Sequence, residues 1–533
     1  MAGPWRWCCG SGTPNVPPRQ RGAADLAAPS DIDVIVIGSG FGGSIAANRL
    51  AQAGQRVLVL ERGPWRDTLP VRSLGIKRVA PLPYGRKTLT HLFRSVHAGR
   101  WGLQLSKQGL FELQSHKGVT VMSASSVGGG SMAYGGLLEA PRDAKYWHAR
   151  HPDLDPDSVQ NYYDKVLQDM GAVPFARDSC VPQSIWDILP DGPDQRCRVA
   201  KQQPRMAIML PPSAEAAGRI VVPGDGPSRQ YCAFDGDSFL GSRGGAKGSV
   251  DFIYLAPVVG QGVQVRDLCE VTGIWRAPAE EGGGYAVHLQ DLVAKGVERV
   301  RAKRVVVAAG TMNTLRLLFS SREQVGGLRD MPALGRTFGA NGDLVGTLGA
   351  AGDPVSSFKA SPSLGAFTVD GCDGASMGVG GFPGLDELPL PKLLKNRLGR
   401  TYFMYGMGVD SGSGSVRFCK NRLQVEYDQA QEPIFRKIRS AFKVMGEETG
   451  RKTWAIGKPL TLHPWGGACV GADPEHGVVD HRGEVYGNPG LFIADGSALP
   501  AAPGGPPSLT IAAWAHHVAD GMTAEGGSPC IRR

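Results

Sequence analysis

Apolar and polar positions change period several times along the chain, and each change predicts an element. Val34–Ile37 is an unbroken apolar run rich in β-branched residues, the pattern of a strand covered on both faces. Glycines cluster directly after it. The small residues of 44–53 then predict a helix that Gly54 ends, and 56–60 predict a second strand with Glu61 at its end. Further on, 157–170 predict a helix, while 263–266, 271–276 and 285–290 read as short strands. A buried strand over 304–308 turns through Ala309-Gly310-Thr311 into a helix over 312–321, a second strand–glycine–helix unit. The stretch 433–448 carries Ile434, Phe435, Ile438, Ala441, Phe442 and Met445 on one helical face, which reads as core packing. A strand over 491–494 ends in Asp495-Gly496-Ser497, and Pro506-Pro507 opens a last helix over 508–522. Three stretches break the pattern. The 64–117 segment is rich in Pro and Arg without a repeated period, 178–248 reads as an irregular insertion, and 346–415 is rich in Gly and Pro. The alternation of strands and helices predicts an α/β fold, α+β overall.

The first unit carries chemistry. Gly38-Ser39-Gly40-Phe41-Gly42-Gly43 places glycines at the three positions of G-x-G-x-x-G. Gly38 permits the tight turn, Gly40 leaves room for a pyrophosphate, and Gly43 lets the helix pack close on the strand. The helix N-terminus aims free N–H groups at the phosphates. Glu61, about 20 residues further on, suits both hydroxyls of an adenosine ribose and repels a 2′-phosphate. The motif by itself leaves FAD and NAD open. Two more features match a nucleotide cleft. Gly128, Gly129 and Gly130 precede Ser131, with Gly135 soon after, and ordering such a run costs about 1 kcal/mol per glycine in a regular element, which favours a backbone lying close to a ligand. The Asp495-Gly496 corner before the last helix is a second anion- or dipole-binding site.

Composition excludes several classes. The net charge of +9 over 533 residues comes without a dense basic block or interleaved aromatics, so no nucleic-acid partner is expected. No apolar run reaches membrane-spanning length, so no integral membrane segment is expected. The first 30 residues are rich in Pro, Gly and Arg and lack the apolar core of a secretory signal. They read as a disordered arm, and the protein reads as cytoplasmic. The ten cysteines are scattered and form no C-x-x-C, so they signal no metal site and read as reduced thiols. His148, His151, His516 and His517 follow no ligand spacing and read as surface or packing residues.

Taken in order, VIVIGSGFGGSIAANRL, VGGGSMAYGG, VVVAAGTMNTLRLL, HPWGGACVGADPEHGVVD and LFIADGSALP resemble the glucose–methanol–choline (GMC) flavoprotein oxidoreductases, most of all the bacterial cholesterol oxidase branch. The resemblance runs from residue 31 to 523. It implies a Rossmann-like FAD-binding domain, discontinuous in sequence, into which a substrate-binding domain is inserted. The FAD-binding part would be 31–63, 119–139, 248–345 and 480–523. The substrate-binding part would be 64–118, 140–247 and 346–479, with a flexible tail over 524–533. The resemblance also implies roles. Gly38 to Gly43, Ser39 and Phe41 included, would hold the pyrophosphate of FAD and Glu61 its ribose. Gly128, Gly129, Gly130 and Ser131 would pass beside the flavin, with Tyr134 and Gly135 near the ring. Val271 would hold adenine through its backbone, and Asp495 and Gly496 would contact the pyrophosphate and ribityl chain. His463, in the HPxGG loop, would face the flavin as proton acceptor.

Two positions depart from the family pattern. Pro506 stands where the family has Asn or His before a proline, next to the flavin edge, and proline offers neither a side-chain donor nor an N–H. Gly378 aligns with the glutamate that moves the steroid double bond in cholesterol oxidases, with Asp386 and Glu387 the nearest acids. The expected function is FAD-dependent oxidation of a sterol or similar bulky alcohol. FAD would be bound non-covalently, and dioxygen or another acceptor would take the electrons. The alternatives are a specialised-metabolite alcohol oxidase or dehydrogenase, and a flavin-binding homologue with little oxidase activity.

Overall fold

The apolar runs read from the sequence assemble into one parallel sheet. Its strand order is Val263–Arg266, Val57–Leu60, Val34–Ile37, Arg304–Val307 and Leu491–Ile493. This computed structural model describes residues 32–524 apart from 100, 149–150, 155, 191, 193, 350–355 and 383. The expected arm over 1–30, the tail beyond 524, and Cys8, Cys9 and Cys530 lie outside the described residues. The central strands are buried apart from half-buried Arg304, as a parallel sheet covered on both faces requires. Helix Phe41–Gln52 packs against the last helix, Ser508–Ala524, and both are rich in alanine, which permits close approach. Helix Thr311–Arg322 packs on an antiparallel three-stranded sheet of Cys269–Arg276, Tyr285–Asp291 and Val297–Ala302.

Two of the three unpatterned stretches turn out to be sheet. Residues 64–117 contain Phe93–Ala98, Trp101–Gln104 and Phe111–Ser115, which join Thr120–Ala124 and Leu460–Thr461 in a five-stranded sheet. Its edge strand, Trp101–Gln104, is exposed on both faces, so its sequence shows no alternation to read. Residues 346–415 supply most of a six-stranded antiparallel sheet. The order is Thr453–Ala455, Leu344–Gly349, Thr401–Gly408, Ala375–Gly380, Gly365–Val369 and Cys197–Val199. Glycines hide these strands from a pattern search, and each has a packing reason. A Cβ on Gly346 would press on Phe442, one on Gly406 on Ile438 and one on Gly408 on Ile434. All three partners belong to the amphipathic helix Pro433–Thr449, which lies on that face. On the opposite face Gly378 pairs with Tyr405, and a Cβ at 378 would overlap the tyrosine hydroxyl and ring. The 178–248 stretch is largely irregular, with only short ladders such as Ile220–Val221 with Arg229–Gln230.

No helix among the described residues is long and apolar enough to cross a membrane. No disulfide joins the described cysteines.

Candidate active site

A cavity of about 340 Å³ starts at the carboxyl ends of the parallel strands and extends to the six-stranded sheet. That is where open α/β sheets present their ligand crevice. Of the residues singled out from sequence, Gly38, Ser39, Gly40, Phe41, Gly42, Glu61, Gly129, Gly130, Tyr134, Gly135, Val271, His463, Asp495, Gly496 and Pro506 line it. Gly43, Gly128 and Ser131 stand behind the wall.

The sheet end is built for a close backbone approach. Gly38 adopts φ +94°, and a side chain there would run into the Ala308 carbonyl. A Cβ on Gly43 would overlap the carbonyl oxygen of Gly38, so this glycine sets how near the helix comes to the strand. Gly40 precedes helix Phe41–Gln52 with no side-chain cap, which leaves the first-turn N–H groups free for a ligand. Across from it, a Cβ on Gly129 would lie 2.7 Å from the Gly40 Cα, whereas Gly130 faces open space. A second uncapped helix start, Gly310 before Thr311–Arg322, opens on the same cavity. Two helix dipoles thus point their positive ends into one cleft.

The two carboxylates flanking these helix starts are heavily used by the chain. Glu61 Oε2 accepts the Ser39 N–H at 3.0 Å and its Oγ at 2.8 Å, and Oε1 accepts the Gly63 N–H at 2.7 Å. A carboxylate offers about four acceptor sites, so these three bonds leave Glu61 about one. Burial pushes its pKa up, opposed by these bonds. Asp495 Oδ2 accepts the Gly310 N–H at 2.9 Å and Thr314 Oγ1 at 2.5 Å, and Oδ1 accepts the Ser497 N–H and Oγ. Asp495 therefore ties the last strand of the sheet to the second helix start. Past Glu61 lies an ionic cluster that sequence reasoning missed. Arg62 pairs with Glu112 at 2.6 Å, Arg94 lies 3.5 Å from Glu112, and Arg316 lies 3.5 Å from Glu270. No local spacing could have announced residues gathered from four distant segments.

The glycine loop is braced from behind. Ser131 Oγ donates to the Gly128 carbonyl at 2.7 Å and accepts the Val250 N–H at 3.1 Å. Lys247 is fully buried, and its Nζ donates to the carbonyls of Met132, Tyr134 and Ser238. Asp251 packs its Cβ beside Gly128, where φ is +92°. Tyr134 lies edge-on to Phe41 at 5.5 Å and donates its hydroxyl proton to the Gly248 carbonyl.

At the far end the lining turns apolar, with Phe239, Val345, Pro362, Phe403, Met407 and Leu462. His463 is the basic group there. Its Nδ1 lies 2.9 and 3.1 Å from the two oxygens of Asp343. Asp343 is buried and also accepts Thr461 Oγ1 at 2.7 Å, the Leu462 N–H at 3.1 Å and Asn341 Nδ2 at 3.3 Å. An ionised carboxylate only accepts, so Nδ1 carries the proton and Nε2 is left as an acceptor. Asp343 stands 120 residues from His463 in an Asn-Gly-Asp turn, and nothing local in the sequence marks it. Tyr405 is the second polar group, its hydroxyl 3.3 Å from Ser363 Oγ, with burial pushing the phenol pKa up. Pro506 lines the cavity with no donor of its own, and the carbonyl before it, Gly505, accepts Asn341 Nδ2 at 3.0 Å. Neither acid near Gly378 reaches the cavity. Asp386 pairs with Lys359 and Glu387 with Arg243.

Family models described as GMC oxidoreductase match residues 32–338 and 431–515. A cholesterol oxidase of Mycobacterium tuberculosis is 27% identical, over 92% of this chain and 90% of its own length. A cholesterol oxidase of Acinetobacter baumannii is 24% identical, over 91% and 93%. A long-chain-alcohol oxidase of Arabidopsis thaliana is 25% identical, over 91% of this chain and 66% of its own. Among solved structures, pyridoxine 4-oxidase from Mesorbium loti shares the fold, with a TM-score of 0.60 at 18% identity over 92% of this chain and 98% of that one.

Proposed function

The chain belongs to the GMC oxidoreductase family, a family of flavoproteins, and from that premise we propose that it oxidises a bulky alcohol, a sterol or a compound of similar size, with FAD bound non-covalently. The fit of FAD rests on the cleft itself: two uncapped helix starts, the facing backbones of Gly40 and Gly129, and the remaining acceptor site of Glu61. Bound FAD supplies a two-electron acceptor for the carbinol hydrogen. The residues do the rest. The apolar lining around Phe403, Phe239 and Met407 holds a large hydrocarbon body and excludes water. His463 accepts the hydroxyl proton on Nε2 while Asp343 fixes the ring through Nδ1. The imidazolium formed is stabilised by the same carboxylate.

The observation that carries this reading is the His463–Asp343 pair on the wall of the cavity's apolar end. Segment 131–134 offers no His or Cys for a covalent flavin link, so colour should pass a spin filter once the protein is denatured. In this reading the cofactor side is 31–63, 119–139, 248–345 and 480–523, and the remaining 64–118, 140–247 and 346–479 form the substrate side. Pro506 favours a second reading, a flavin-binding homologue with little oxidase activity, because the cavity lacks a donor at that point. Anaerobic mixing with a panel of sterols, long-chain alcohols and small alcohols separates the two. Bleaching of the flavin by a bulky alcohol is expected, and admitting air then separates peroxide-forming oxidase from dehydrogenase. A flavin that no alcohol bleaches would remove the proposal.

A further inference from the structure

A group of three side chains lies apart from the cavity, and none of them lines it. We propose that His151, Asp153 and His481 bind a divalent transition-metal ion of the Zn²⁺ class. Their donor atoms all lie within 4.8 Å of one another. Asp153 Oδ2 is 3.8 Å from His151 Nδ1 and 4.0 Å from His481 Nδ1, and the two rings sit 5.0 Å apart.

The tautomer suits a ligand. The Asp153 backbone N–H donates to His151 Nδ1 at 3.3 Å, so that nitrogen is unprotonated, and the ion would take its lone pair in place of this long hydrogen bond. His151 is buried, with its N–H donating to the Trp147 carbonyl and its own carbonyl accepting the Leu154 N–H. His481 is held through its backbone as well, since its carbonyl accepts His517 Nε2 at 2.7 Å. His517 stacks on Trp514 in the last helix. Two ligand frames are thus fixed, while the Asp153 side chain is 65% exposed and free to swing.

Metal–ligand bonds of about 2.0–2.1 Å in a tetrahedron put donors about 3.4 Å apart. The two Asp153 separations exceed that by an amount that rotation of its exposed carboxylate removes, and a side-chain rotation of half-buried His481 closes the remaining gap between the imidazoles. Solvent at Asp153 supplies the fourth position. Two imidazoles and one carboxylate select Zn²⁺, Cu²⁺ or Ni²⁺ over Ca²⁺ and Mg²⁺, which prefer all-oxygen sets. The ion would staple the segment leading into helix Pro156–Asp169 to the loop that contacts the last helix. It would stabilise the fold in proportion to its occupancy.

The test uses flavin-loaded protein stripped with a chelator and titrated with Zn²⁺ alone by calorimetry, with thermal melting alongside. Expected are one ion per chain, a raised Tm with Zn²⁺ but not with Ca²⁺, and at least tenfold weaker binding in Asp153→Asn and in His481→Ala. Both altered residues reach solvent, so the variants fold. His476→Ala, which removes a separate exposed pair with Asp473, should bind as the parent does. Absence of binding at millimolar Zn²⁺ overturns the proposal. So does one ion held equally by the parent, Asp153→Asn and His481→Ala.

Discussion

Glycine does two different jobs on the two sides of the cavity. On the parallel-sheet side it stands at strand ends. Gly38 and Gly310 take positive φ, Gly129 lets its backbone close on Gly40, and Gly40 and Gly130 keep their faces clear for a ligand. On the side of the six-stranded sheet it stands inside strands. Gly346, Gly406 and Gly408 make room for helix Pro433–Thr449, and Gly378 makes room for Tyr405. The first kind is a ligand device and the second a packing device. Substitution should separate them, because Gly40 and Gly130 have space beside them and the strand glycines have protein.

The largest effect is expected at Gly42, where a Cβ would overlap the Ala494 carbonyl oxygen, a backbone atom that cannot yield. Gly42→Ala should fail to give soluble folded protein. Gly40 is different, since its nearest neighbour on that side is the Gly129 Cα at 3.9 Å. Gly40→Val should fold, with the parent's far-ultraviolet circular dichroism, yet come off the column colourless. Gly346→Val should show the reverse, keeping its flavin but losing at least about 1–3 kcal/mol in denaturant unfolding through the clash with the Trp454 carbonyl and the Phe442 ring. A yellow Gly40→Val or a colourless, stable Gly346→Val would erase the distinction.

Chemistry should divide along the same line. His463→Ala leaves every nucleotide-side group in place, so FAD retention should be unchanged while anaerobic flavin reduction slows by about 10²–10⁴-fold. Reduction at the parent rate would mean another base does the work. Pro506→Asn acts in the opposite direction. It restores a side-chain donor at a cavity-lining position, and an oriented donor is worth about 10²–10³ in rate. Sterol-dependent reduction should rise by at least about tenfold, within that range. A neutral or slower variant with FAD still bound would show that the substrate oxygen is held elsewhere, with Tyr405 the next group to change.

The same contrast explains what the sequence could show. Val34–Ile37, the glycines after it, Arg304–Val307 and Leu491–Ile493 are local patterns whose physics lies within about ten residues, and the parallel sheet follows them closely. The six-stranded sheet has no such local cause. Gly346 and Gly406 are strand residues because Phe442 and Ile438 arrive from another part of the chain, so glycine there looks like a loop signal. The site divides likewise. His463 stands in a recognisable loop, but its partner Asp343, the phenol of Tyr405 and the Arg62–Glu112 cluster depend on tertiary contacts. Glu61 was legible as a position, and only the structure shows that Ser39 and Gly63 take most of its acceptor capacity.

The last effect concerns a charge rather than a glycine. Asp251 lies behind Gly128, fully buried, with Oδ1 accepting Ser249 Oγ at 2.5 Å and Oδ2 without a partner. Burial pushes its carboxyl pKa up from 3.8 to about 6. Between about pH 4 and 6 the folded protein therefore binds more protons than the unfolded chain, and this group lowers stability as pH rises through that window. Lys247, the nearby cation, works in the other window. Burial lowers its pKa to about 7, so the unfolded chain binds more protons from about pH 7 to 10.5, and stability rises with pH there. Asp251→Asn removes the first limb only. Ionising the buried acid costs at most about 3 kcal/mol above pH 6, a figure that already contains the hydrogen bond from Ser249. The variant should then be more stable than the parent at pH 8 by up to about 3 kcal/mol and indistinguishable from it near pH 4. Lys247, deprived of a counter-charge, should move its rising limb to lower pH. Urea unfolding at pH 4, 6 and 8 measures all three points, and a variant that keeps the parent's fall between pH 4 and 6 would assign that limb to some other acid.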